Sequence, residues 1–171
     1  AIGPVAGASR PVQVDALVAL ASEVLGRRKA LKTALANDGL REILRVGTSA
    51  GGARAKAVIA WNRATNEVRS GQLHADPGFE HWLLKFDGVS NNRDKELADP
   101  AGYGAVEFAY ARMATTAGIE MTECRLFEEG GRRHFMTRRF DRTPEGDKLH
   151  MQSLAAIAHY DFNDPNAHTY E

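Results

Sequence analysis

An α+β fold, with a mainly antiparallel sheet, one core helix and additional helices at the N-terminal end, is what this 171-residue sequence predicts, on three observations. Short runs rich in β-branched and aromatic residues recur between Gly-containing turns, among them Ala57-Val58-Ile59-Ala60-Trp61 and His81-Trp82-Leu83-Leu84-Lys85-Phe86-Asp87. Apolar residues at helical spacing fill the stretch before residue 45 and another after residue 102. Val46-Gly47-Thr48-Ser49-Ala50-Gly51-Gly52-Ala53-Arg54-Ala55-Lys56 joins the two regions and reads as strand, Gly-rich turn, strand.

Taken in order, residues 1–11 are an irregular Gly/Pro/Ala lead-in. Val14, Leu17, Val18, Ala21, Val24 and Leu25 keep helical spacing up to a stop at Gly26. Leu31, Ala34 and Leu35, then Leu40, Ile43 and Leu44, give two shorter stripes that pack on the neighbouring sheet. A strand over 56–61 turns at Asn62-Arg63-Ala64-Thr65-Asn66 into Glu67-Val68-Arg69, and 71–80 is a loop. The strand His81–Asp87 places Lys85 between Leu84 and Phe86, where it either snorkels from an edge strand or serves a site. A helix is predicted over Tyr103–Ala117, ended by Gly118, with Tyr103, Val106, Tyr110, Met113, Ala114 and Ala117 as its apolar stripe. Met121–Phe127 and Arg133–Phe140 form a hairpin around Glu129-Gly130-Gly131, and Leu149–Tyr160 a last helix.

The Gly-rich stretch fits neither familiar phosphate motif. A Walker A loop needs Lys directly after its last Gly, and Gly52 is followed by Ala53-Arg54. A dinucleotide fingerprint needs Gly-x-Gly-x-x-Gly opening a helix, and the spacing of Gly47, Gly51 and Gly52 differs. A plain hairpin turn and a Gly-rich loop of the protein-kinase kind, laid over ATP phosphates, both remain. Glu107 falls within the helical stripe, where it either needs a partner, Lys85 on the preceding strand being the natural one, or lies at the margin of the stripe and reaches water. A phosphate-holding loop, a lysine and a helix glutamate that orients it form the nucleotide half of a phosphoryl-transfer site.

Composition narrows the classes. Basic and acidic residues balance at 22 each, so no global field holds the chain on nucleic acid or an anionic membrane. The single cysteine, Cys124, excludes an internal disulfide framework, and without CxxC or Cys/His ligand spacing no metal site is expected. No run approaches the roughly 18 apolar residues of a membrane span, and no signal segment is seen, which points to the cytoplasm. The opening Ala1 and the turn-rich end 161–171 point to an excised fragment.

Together these residues resemble the HipA family of toxin–antitoxin serine/threonine kinases, in its N-terminal, nucleotide-binding part. The densest matches are Val46–Lys56, His81–Asp87, Gly118-Ile119-Glu120-Met121 and Phe135-Met136-Thr137-Arg138-Arg139-Phe140-Asp141-Arg142. The resemblance implies a kinase-like N-lobe over 46–142, a helical segment over 1–45 packing on it, and a linker with the start of a C-lobe over 143–171. It implies ATP and magnesium, with the metal ligands mostly beyond Glu171, and a parent enzyme that phosphorylates a protein serine, by family precedent on glutamyl-tRNA synthetase. It further implies a helix-turn-helix antitoxin of the HipB type, through which alone DNA is reached. By position, Ser49 matches the autophosphorylated serine, Ala50, Gly51, Gly52 and Ala53 the backbone facing the phosphates, and Lys85 the phosphate-contacting lysine. Phe140 and Asp141 match the segment that meets adenine and ribose, and Glu107 the lysine-orienting glutamate. Arg138 stands where some relatives carry Glu. The family's catalytic-loop Asp and Asn and its metal-binding Asp match nothing here, Asn163-Asp164-Pro165 reading better as a turn. The piece alone is therefore expected to be inactive. The alternative is a degenerate kinase-like module that clamps an antitoxin or another protein without catalysis.

Overall fold

The structure, a computed structural model, describes residues 11–19, 56–72, 76–89 and 101–161. Residues 14–19 form helix α1. Strands β1 (Lys56–Asn62) and β2 (Val68–Ser70) pair through a turn that the sequence specifies locally. The Asn62 side-chain oxygen accepts from the Ala64 and Thr65 N–H groups, and Asn66 takes a left-handed φ of 57° while accepting from Trp61 Nε1. Strand β3 (Phe79–Lys85) and helix α2 (Tyr103–Thr116) follow. Strands β4 (Cys124–Glu129) and β5 (Arg132–Arg138) make a two-residue hairpin in which Gly130 and Gly131 have φ of 56° and 74°, the backbone that such a turn demands. A single-turn helix α3 (Leu154–Ile157) comes last.

Among the described residues all pairings are antiparallel, in the order β2-β1-β3-β5-β4. The α+β expectation therefore holds. Strand β3 lies at the centre, so Lys85 is not on an edge.

Side-chain alternation divides the sheet into two faces. One carries Ala57, Ile59, Trp61, Val68, Trp82, Leu84, Phe127 and Met136, closed by Val14, Leu17 and Val18 of α1 into a single apolar core. Trp61 meets Trp82 and Phe127 edge-on, at centroid distances of 5.7 and 6.4 Å. The chain around α1 is tied down on two sides. Val12 N–H donates to Val68 O at 2.8 Å, and Asp15 N–H to the Glu129 carboxylate at 2.5 Å.

Helix α2 packs over β5 and β4 on the opposite face. Its orientation departs from the predicted stripe: Gly104 and Ala111 are buried, whereas Val106, Tyr110 and Met113 are 48, 67 and 63% exposed. Gly104 accounts for the difference. A Cβ there would sit 2.0 Å from Arg133 O and 3.0 Å from Phe135 N, so only a residue without a side chain lets the helix lie on the backbone of β5. That contact turns the small residues inward and leaves the bulky ones out. Gly104→Ala is expected to cost about 1–3 kcal/mol by forcing the helix off the strand, as read by chemical denaturation; an unchanged midpoint would contradict this packing.

The last helix is shorter than predicted. Ser153 caps it, its Oγ accepting from Ala156 N–H at 3.2 Å, and His159 at φ 58° closes it, so Leu149–Gln152 lie outside the helix. The predicted helical stripes after residue 19 and the Gly-rich stretch before Lys56 lie outside the described residues.

Candidate functional site

The charged groups of interest lie on the face of the sheet under α2. Lys56 opens β1 and Lys85 ends β3, and the two are direct cross-strand partners, which puts both side chains on one face. Lys85 Nζ lies 2.6 Å from Glu107 Oε2 and 5.6 Å from the centre of the Phe135 ring, its neighbour on β5. The pair is half-buried, with Lys85 31% and Glu107 26% exposed. Burial, and then the positive charge of Lys85, hold the Lys56 pKa below its ordinary value, partly opposed by Glu107. Among the described residues, Lys56 and Lys85 thus both feel the charge of the Glu107 carboxylate.

Two features fix the helix that brings Glu107 to Lys85. Gly104 sets its height over β5, and Asp87, just beyond β3, caps its N-terminus from a distance. The buried Asp87 carboxylate accepts from Gly102 N–H at 2.8 and 3.0 Å and from Gly104 N–H at 3.3 Å, at the positive end of the helix. Asp87 N–H in turn donates to His134 Nδ1 on β5 at 2.9 Å. Arg132 Nη1 donates to the carbonyls of Asp87 and Gly88, at 3.1 Å each.

Beyond β5 the chain leaves the sheet through Arg139–Arg142. The Asp141 carboxylate accepts from Arg139 Nε at 2.6 Å, from Arg139 Nη2, and from Arg142 Nη1 at 2.9 Å. Burial alone would raise its pKa, but the bonds and charges of Arg139 and Arg142 outweigh that and hold it below the usual value. Phe140 beside it is 67% exposed. Arg138, half-exposed, faces Glu80 at 3.5 Å. Asp141, Arg142, Lys148 and Leu149–Met151 line a shallow open cleft.

The structure thus brings Lys85 and Glu107 together, and with them Lys56, which sequence reasoning missed because cross-strand register cannot be read locally. It places Phe140 and Asp141 at the exit of the sheet, with the Asp141 carboxylate already engaged by two guanidiniums. Ser49, Ala50, Gly51, Gly52 and Ala53 lie outside the described residues. Among the described residues no group of three or more His, Cys, Asp or Glu could hold a metal ion, and no helix is long and apolar enough to cross a membrane.

Residues 48–171 match the family model of the HipA-like C-terminal domain. The chain belongs to the HipA family. The matched HipA domain is the C-terminal one, which corrects the expectation that the chain is the N-terminal part of such a protein. The HipA match covers β1–β5, α2 and α3, and α1 precedes it. No curated protein and no solved structure matches the chain.

Proposed function

We propose that this HipA-family chain carries the nucleotide-binding lobe of a protein serine/threonine kinase, the toxin of a toxin–antitoxin pair, and that the full-length protein phosphorylates a protein serine. The observation that carries the reading is the ion pair between Lys85 on the central strand and Glu107 on the next helix, with Lys56 alongside. In protein kinases a strand lysine held by a helix glutamate contacts the nucleotide phosphates. ATP supplies the transferable γ-phosphoryl group. Glu107 fixes the Lys85 ammonium in direction, and the Lys85–Lys56 pair provides the positive charge that a polyphosphate needs.

Arg138 has donors only, so it cannot accept from the amino group of adenine as a glutamate could. Recognition of the purine edge would then fall to backbone groups around Phe140. Among the described residues no group of three or more His, Cys, Asp or Glu could hold a metal ion, and the magnesium that accompanies ATP in such a kinase belongs to the same proposal. A HipB-type antitoxin and a protein substrate belong to the same proposal.

Phosphorylation of Ser49 would bring a charge of about −1.5 to −2 into the stretch that faces the phosphates and so compete with ATP. Incubating the full-length protein with ATP and mapping phosphosites by mass spectrometry tests this. Modification at Ser49 is expected, and modification elsewhere with none at Ser49 counts against it.

A further inference from the structure

The joint between β3 and α2 contains a buried titratable group, and the Lys85–Glu107 contact does not itself account for it. His134 is fully buried, and its Nδ1 accepts the Asp87 N–H at 2.9 Å. The ring proton therefore sits on Nε2, which has no hydrogen-bond partner among the described residues. The same Asp87 caps α2 through Gly102 and Gly104, five and three residues before Glu107. A proton on Nδ1 would set one N–H donor against another at a distance that only a donor and an acceptor tolerate.

We propose that Asp87 and His134 are positioning residues for the Lys85–Glu107 pair: neutral His134 holds Asp87 in place to cap α2, and protonation of His134 releases the cap and misplaces Glu107. The effect on nucleotide affinity rests on the kinase reading above; the coupling of His134 to the helix cap does not. Among the described residues, the groups facing His134 are Asp87 beyond β3, Arg132 on its own strand, Asp15 on α1, the Phe86 ring edge-on at 6.0 Å, and its cross-strand partner Phe127 on β4. Burial chiefly, and Arg132 in part, lower the His134 pKa below 6.5, against the opposing charges of Asp87 and Asp15. A lowered folded-state pKa means that the joint is intact above the unfolded value near 6.5 and is lost as the pH falls toward the folded one.

The test uses the full-length protein, with amide hydrogen exchange at Gly102 and Gly104 and binding of trinitrophenyl-ATP followed from pH 8 to 5. In the wild type, exchange at both glycines, corrected for its intrinsic pH dependence, should accelerate with the midpoint of the His134 imidazole titration read by NMR. Affinity should fall about tenfold per pH unit below that midpoint. His134→Asn, whose side-chain oxygen can accept from Asp87 without titrating, should flatten both profiles. Asp87→Asn, which loses the charge at the helix end, should weaken binding about fivefold at pH 8. Exchange at Gly102 and Gly104 that ignores the His134 titration overturns the proposal, as does an affinity profile that His134→Asn leaves unmoved. Absence of nucleotide binding at every pH would refute the kinase reading and remove the affinity claim, while the exchange data would still decide the joint.

Discussion

Lys85→Met in the full-length protein is expected to lower ATP-dependent phosphoryl transfer by about 10²- to 10³-fold, the range seen when one preorganised charge-stabilising donor is removed. Met keeps much of the length and the apolar stem of Lys and deletes the ammonium that faces Glu107 at 2.6 Å. Folding should survive, because Glu107 keeps 26% of its side chain exposed and the carboxylate left behind can still hydrate. Transfer of labelled phosphate, with a thermal melt alongside, separates the two quantities. Undiminished transfer would refute the role of Lys85, and a collapsed melt would show that the pair is structural.

Asp141→Ala is expected to cost about 3–5 kcal/mol of folding stability, the penalty for removing one partner of a buried ionic group. Asp141 and Arg142 are each 9% exposed at the side chain and Arg139 is 17% exposed, so the substitution strands two guanidiniums with little access to water. The Asp141 pKa is depressed in the fold, so its contribution is complete above the unfolded value near 3.8 and is lost as pH falls below it. Urea denaturation at pH 7 reads the loss. A change under 1 kcal/mol would mean that Arg139 and Arg142 are compensated by groups other than Asp141.

What the sequence made legible follows from how locally each feature is encoded. Gly130-Gly131 between apolar runs specifies its hairpin, and Asn62 and Asn66 specify theirs, because the determinants lie inside the turns. The Lys85–Glu107 contact is only partly legible: the preceding strand offers the cation, but the apolar stripe that placed Glu107 inward is largely exposed in the structure. The packed face of α2 is not. Val106, Tyr110 and Met113 form the stronger hydrophobic pattern, but the missing side chain of Gly104 against the β5 backbone decides the orientation, and that is a tertiary fact. Lys56 and Asp87 were hidden for related reasons. The first acts through strand register, and the second caps a helix that begins sixteen residues later in the chain.

The most direct measurement of the central claim is acylation of the full-length protein by an ATP acyl phosphate, with the modified lysines located by mass spectrometry in the presence and absence of excess ATP. Labelling should concentrate on Lys85, with Lys56 as the secondary site, and ATP should suppress both. Labelling spread over exposed lysines such as Lys148, or labelling of Lys85 that ATP does not diminish, would contradict the account.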